Sequence, residues 1–273
     1  MSEPVVSYSA FSLQRIGAMV LRYFYLMRSS WPRLLELIYW PMVQMLMWGF
    51  LQSYVDANAS FFARAGGTFI GAVLLWDILF RGQLGFSVSF LEEMWARNMG
   101  NLMMSPLRPI EFVAALMIMS MVRLAIGMVP VTLVALWLFD FNLYSLGFAL
   151  AAFFANLIFT SWAVGILVSG LILRNGMGAE GLAWTIMFLL LPLTCVYYPV
   201  SILPSWLQAI AWILPPTYVF EGMRALLIDH VFRADLMLKA LALNLVYFGA
   251  SVLVFMRLLE AARRHGSLIQ TGE

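Results

Sequence analysis

The stretch IEFVAALMIMSMVRLAIGMVPVTLVALWL, residues 110–138, carries only two charges, Glu111 and Arg123. A bilayer core about 30 Å thick is crossed by roughly 20 apolar residues in a helix, because a helix satisfies every backbone N–H and C=O within the segment. This run is long enough to cross and too apolar for a solvated surface. Comparable runs recur near 37–55, 66–90, 146–173, 182–199 and 236–257. The sequence therefore predicts an all-α membrane protein of about six transmembrane helices.

Composition agrees with that reading. The chain is 63% hydrophobic and 11% charged, with a mean hydropathy of +0.89, where a soluble domain is about 25% charged. Six spans absorb most of the 273 residues, so the expected organisation is an N-terminal interfacial helix over 1–36 and a single six-span transmembrane domain over 37–273. A net charge of +2, with Lys239 the only lysine, gives no case for nucleic-acid binding. Cys195 is the only cysteine and sits in an apolar run, which excludes an intrachain disulfide and a Cys-based metal site. The opening MSEPVVSYSAFSLQR lacks the basic region and short apolar core of a cleavable signal peptide. No fixed-period repeat or low-complexity tract divides the chain.

Working outward, Leu13, Ile16, Val20, Phe24 and Met27 fall on one narrow arc at 100° per residue, with Arg15, Arg22 and Arg33 on the other side. That pattern predicts an amphipathic helix lying in the membrane interface, broken by Pro32, which turns the chain into the membrane. The segment 200–235 is too apolar for an exposed loop, yet Pro199, Pro204, Pro215 and Pro216 forbid a straight span. A pair of re-entrant helices between the fifth and sixth spans fits it. Arg15, Arg22, Arg28, Arg33, Arg97, Arg108, Arg174, Arg257, Arg263 and Arg264 fall on one side of the predicted spans; Arg64, Arg224, Arg233 and Lys239 fall on the other. Basic residues are retained on the cytoplasmic side, so both termini are expected there and the re-entrant segment faces outward.

Three groups of residues could carry function. FLEEMWARNMGNLMMSPLRPIEF, residues 90–112, interleaves Glu92, Glu93, Arg97, Asn98 and Asn101 with Met94, Trp95, Leu102 and Met103. It reads either as a cytoplasmic surface for a partner protein, with charges setting register and an aromatic anchor supplying area, or as a helix resting on lipid headgroups. Asp77, Arg81 and Arg123 fall inside spans, where an ionised side chain must be paired or wetted. Counted from the span ends, Asp77 and Arg123 lie at similar depth, so an interhelical pair is expected, with Arg81 one turn from Asp77 as the competing partner. Tyr197, Tyr198, Trp206, Trp212 and Tyr218 gather around the outward segment, as an anchoring belt or as an exit gate. Nineteen methionines in such a chain read as adaptable packing rather than a metal path. His230 and His265 lack ligand spacing. No G-x-x-x-x-G-K-[ST] occurs, so the chain does not supply the phosphate-binding lysine of that ATPase class.

The 90–112 stretch, with Glu92-Glu93, Gly100, Leu102, Ser105-Pro106-Leu107 and Glu111, resembles the segment after the second helix of ABC type-2 exporter permeases, departing at Asn101, where Thr is usual. PLTCVYYPVSILPSWLQAIAWILPPTYVFEGMR, residues 192–224, is similar to the same family's fifth helix and outer loop through Pro199, Leu203-Pro204, Trp206-Leu207-Gln208, Pro215, Thr217-Tyr218, Glu221 and Arg224. Pro216, Tyr197 and Tyr198 depart from the commoner residues. The resemblance implies a permease subunit of a bacterial inner membrane that moves an amphipathic or lipid-linked substrate such as a polysaccharide, lipid or drug outward. It implies a homodimer driven by two ABC ATPase subunits that hold the ATP and Mg, with Glu92, Glu93, Trp95, Arg97, Asn98 and Asn101 in the coupling element and Glu221 and Arg224 joining the outer aromatics. No cofactor or catalytic residue is expected in this chain. The alternatives are an ATPase-independent carrier or channel, which the intramembrane charges alone would permit, and a non-transporting membrane assembly factor.

Overall fold

The computed structural model describes residues 11–58 and 68–264; Arg64 and His265 lie outside them. Ten α-helices occur in the described residues. They are α1 (Leu13–Arg28), α2 (Trp31–Asn58), α3 (Thr68–Trp95), α4 (Met99–Met104), α5 (Pro109–Phe139), α6 (Phe148–Asn175), α7 (Leu182–Leu193), α8 (Ser205–Ala211), α9 (Pro215–Asp229) and α10 (Ala234–Arg264). Short 3-10 turns at Leu143–Leu146, Met177–Ala179 and Val200–Ile202 connect them.

Five helices, α2, α3, α5, α6 and α10, are long and apolar enough to cross a membrane. They run well past the apolar windows: α3 continues through Glu92 and Glu93 to Trp95, and α10 through Glu260 to Arg264. The run at 182–199 differs from expectation. Its helix, α7, has 12 residues, about 18 Å at 1.5 Å per residue, short of the bilayer core. Pro192 stands near its end, and the chain then turns through Cys195, whose φ of 55° lies in the left-handed region.

α3 is the axis of the bundle. Apolar on all sides, it is buried along nearly its whole length, packing on α2, α5, α6, α7 and α9. α2 and α10 keep apolar outer faces open, including Trp40, Met47, Phe50, Leu245 and Leu253. Small residues let the axes approach: a Cβ on Gly85 would lie 3.0 Å from the Ser120 Cα, and one on Gly127 would lie 2.8 Å from the Leu37 carbonyl. Side chains add specific links. Asn244 donates to the Asn156 carbonyl (2.9 Å) and accepts from the Thr160 hydroxyl (2.6 Å), tying α10 to α6, while Trp162 donates to Ser120 (2.8 Å) between α6 and α5.

Two apolar clusters divide the bundle along its length. One joins α1 to the last turns of α3, the first half of α5 and the ends of α6 and α10 through Tyr23, Phe90, Phe112, Ile172 and Phe255. The other joins the opposite halves of α3, α5 and α6 to α9 and the start of α10 through Leu75, Val131, Phe153, Phe220 and Met237. α1 packs mainly on α5, burying Ile16, Met19, Tyr23 and Met27. The break after it falls at Ser29 and Ser30, with Pro32 in the first turn of α2, where proline costs no helical hydrogen bond. Since α6 and α10 both end on the α1 side, the segment 176–233 returns the chain to the opposite end. His230, with φ 56°, closes α9 there in the left-handed conformation.

Candidate functional site

The α1 end concentrates the charge. α3 ends in a tight turn in which the Asn98 backbone N–H reaches the Glu93 carbonyl (2.9 Å) and Arg97 takes a φ of 51°. The Asn98 side chain donates to Glu93 Oε2 (2.8 Å), and Arg22 of α1 pairs with the other oxygen of that carboxylate. Beside it, Glu92 accepts from Arg33 of α2 (3.2 Å) and from Arg123 of α5, whose Nη2 lies 2.9 Å from both oxygens. Glu111, fully buried in the first turn of α5, accepts from the Ser12 and Arg108 backbone N–H groups (2.8 and 3.0 Å) and from Arg15 Nε (2.8 Å) and Nη2. This hydrogen-bonding raises the Arg15 pKa above its ordinary value. Burial, reinforced by the neighbouring Glu93 charge, pushes the Tyr23 phenol far up as well.

Of the residues expected in the coupling element, Glu92 and Glu93 therefore point inward and are spent on ion pairs within the chain. Trp95, Arg97 and Asn101 are exposed, and Asn98 is half-buried. Asn101 donates to Asn98 (3.2 Å). The Trp95 indole donates to Glu180 (2.9 Å), joining the α3–α4 turn to the α6–α7 connection, and Arg263 of α10 reaches the Met103 sulfur (3.1 Å). α3, α4, α6 and α10 thus share one surface.

The intramembrane charges pair otherwise than by equal depth. Asp77 lies 3.5 Å from Arg81 on its own helix, and Arg123 belongs to Glu92. The expected Asp77–Arg123 bridge is absent because helix ends mislead the count. Asp77 is about 27 Å from the end of α3 at Trp95, whereas Arg123 is about 21 Å from the start of α5. Helix register settles the rest: Gly85 sits level with Ser120 and Gly127 with Arg81, placing Asp77 several residues beyond Arg123, which reaches back toward the α1 end. Neither Asp77 oxygen has a hydrogen-bond donor among the described residues.

At the opposite end, Tyr197 stacks on Trp48 of α2 (centroids 4.3 Å apart), which itself stacks on Phe69 (6.0 Å). Tyr198 donates to the Pro192 carbonyl (2.7 Å), and Tyr218 donates to the Trp212 carbonyl (2.8 Å) while its ring packs on that indole. Glu221 accepts from the Val200 N–H (2.8 Å) and from Arg224 (2.9 Å), and Arg224 also reaches the Val196 carbonyl (3.2 Å). These two charges latch the 195–200 turn onto α9. Trp206 stands exposed on α8.

A family model for ABC-2 type transporters matches residues 14–228, from α1 to the end of α9. The chain belongs to the ABC-2 type transporter family. No curated protein matches the chain. An ABC-2 permease is the membrane component of an ABC transporter and works with a separate ABC ATPase subunit, which fits a chain built of apolar helices around a charged, hydrogen-bonded end.

The arginines and the carboxylate that hold this permease's charged end were only partly visible beforehand. Arg15, Arg22 and Arg33 stood out as the polar side of an amphipathic stretch, without partners. Glu111 is the third residue of α5, after Arg108-Pro109-Ile110, a position from which a carboxylate reaches back to the backbone N–H three residues before it. That spacing was the available signal. Asn156 and Asn244, amides within apolar runs, carried another.

Proposed function

We propose that this chain is the permease subunit of an ABC exporter, moving an amphipathic or lipid-linked substrate outward with energy from ATP hydrolysed on its partner. The observation that carries the reading is the charged platform at the α1 end, in which the α3–α4 turn stands out with Trp95, Arg97 and Asn101 exposed on a base fixed by Glu92, Glu93 and Glu111. Such a base transmits a push on the turn to α1, α2, α3 and α5 together. The platform is cytoplasmic, in keeping with its ten arginines, and both termini lie on that side of a bacterial inner membrane. α7 with the turn after it makes the sixth crossing, and α8 and α9 form the outward re-entrant pair, with Tyr197, Tyr198, Trp206, Trp212 and Tyr218 at the exit. α1 supplies the interfacial element, and α2 through α10 the permease domain. Two copies, each with one ATPase, enclose the path, for which the open apolar faces of α2 and α10 offer the surface. The substrate is taken as amphipathic because the helices present apolar side chains with isolated aromatic and polar groups.

The test is reconstitution into vesicles with and without the cognate ATPase. Transport of a lipid-linked substrate should require both subunits and ATP, and the isolated permease should neither bind nor hydrolyse ATP. Transport by the permease alone, driven by an ion gradient, would replace this reading with a secondary carrier.

A further inference from the structure

Resting on the reading that the α3–α4 turn docks the ATPase, we infer that the ATPase surface it meets is acidic. The carboxylates around the α3–α4 turn carry the inference. Glu92 is taken by Arg33 and Arg123, Glu93 by Arg22 and Asn98, and Glu111 by Arg15 with the Ser12 and Arg108 backbone. All three are nearly or fully buried. Glu180 is occupied by the Trp95 indole, and Glu260 by Arg264. The acidic residues that the sequence places in this segment are therefore turned inward and neutralised.

The cations remain outside. Arg97 at the tip of the turn, Arg108 just before α5 and Arg174 at the end of α6 are all exposed, and none pairs with a carboxylate among the described residues. The Trp95 to Glu180 bond draws the Arg97 turn and the Arg174 connection onto one surface, and the shared apolar cluster of Met99, Leu102, Leu107, Leu173 and Ala183 lies beneath them. Arg97 has a left-handed backbone held by the Asn98 to Glu93 bonds on its C-terminal side, so its side chain is presented by a fixed turn rather than a loose loop. Trp95 keeps 48% of its surface open although its N–H is satisfied, leaving an aromatic face for an apolar contact. Arg97, Arg108 and Arg174 outnumber Glu180, the one carboxylate beside the aromatic anchor, so the surface is matched by a hollow edged with Asp and Glu, and repels a basic one.

The experiment titrates the cognate ATPase subunit onto the full-length permease in nanodiscs of zwitterionic lipid. Arg97→Glu, Arg108→Glu and Arg174→Glu are measured singly and together, and thermal unfolding confirms that these exposed changes leave the fold intact. Each single reversal should weaken binding roughly fivefold to tenfold, and the triple reversal by about a hundredfold or more. Wild-type affinity should fall as salt rises, and Arg97→Lys should bind nearly as the parent does. Should the triple variant misfold, the three single reversals carry the comparison. Unchanged binding by the reversed variants, or affinity that rises with salt, would overturn the acidic partner while leaving the docking site in place. A loss seen only in discs of anionic lipid would assign these arginines to headgroups and overturn it too. Failure of the wild-type permease to bind the ATPase at all would remove the docking reading itself.

Discussion

At the α1 end, Arg15, Arg22 and Arg33 reach carboxylates 96, 71 and 59 residues away. In the 192–224 loop at the other end, Tyr198, Gln208 and Tyr218 bond to carbonyls only five or six residues off. The first arrangement ties separate helices together through charge-assisted bonds, each worth roughly twice a neutral one. The second folds a loop on itself, with the Glu221 and Arg224 latch, the Tyr197 stack on Trp48 and the Tyr247 bond to the Ile213 carbonyl (3.0 Å) among its ties to the bundle. A disturbance at the charged end should thus spread between elements, while one in the loop should stay where it is made.

The sharpest way to break this contrast is to strand a nearly enclosed charge. Arg123 and Glu92 are both nearly enclosed, so Glu92→Gln should cost about 3 to 5 kcal/mol, read as thermal unfolding in detergent. Glu92→Gln with Arg123→Gln should recover much of that loss, whereas Asp77→Asn and Arg123→Gln should add, because they share no contact. Strong coupling between Asp77 and Arg123 would contradict the register described above.

Next in size is Glu111→Gln, which weakens the Arg15 pair and the bonds to two backbone N–H groups. We expect a loss of roughly 2 kcal/mol, with amide exchange rising along the whole of α1 and trypsin cutting earlier at Arg28. Exchange in the 195–214 loop should not change. Release of both ends together would show that the bundle transmits the disturbance lengthwise, against the contrast drawn here.

How far these features could be read in the sequence follows from their range. The five long helices came through because an apolar run long enough to cross a membrane needs no partner to be recognised. Their ends did not, since Glu92, Glu93 and Glu260 stay helical past the apolar window, and Pro192 with the turn at Cys195 shortens α7 where composition alone extends it. Charge positions were visible and charge partners were not. Pairing across helices depends on relative register, set here by contacts such as Gly85 on Ser120, and no spacing along one helix encodes it. The Asp77 and Arg81 pair was legible for the opposite reason, being one turn apart. The inward turn of Glu92 and Glu93 was illegible because a charge pair at the end of a span is normally solvated, and only the arginines of α1, α2 and α5 closing on it change that.

The loop offers the gentler tests. Glu221→Gln keeps the shape but weakens the acceptor for the Val200 N–H and Arg224, so about 1 to 2 kcal/mol should be lost. Exchange should rise at 196–203, with α1 protected as before. If α1 loosened as well, the latch would be part of the same network as the charged end.

The smallest expected effect belongs to Tyr198→Phe. Its hydroxyl bonds to the Pro192 carbonyl six residues back (2.7 Å), across the turn that ends α7. Pro192 lies exposed and Tyr198 only half-buried, so in the variant the freed carbonyl can be met by solvent or headgroup, and no buried polar group is stranded. A neutral bond replaced in this way is worth about 0.5 to 1 kcal/mol. Thermal stability should barely move, and faster exchange should be confined to Thr194–Val200. Tyr218→Phe removes a bond of the same span to the Trp212 carbonyl, but its ring also packs on that indole at 4.9 Å, and the phenyl ring preserves that packing. The two substitutions should therefore differ little. A loss above about 2 kcal/mol at Tyr198, or altered exchange in α1, would mean that this turn supports the bundle as a whole, and that the two ends are held by the same kind of tie after all.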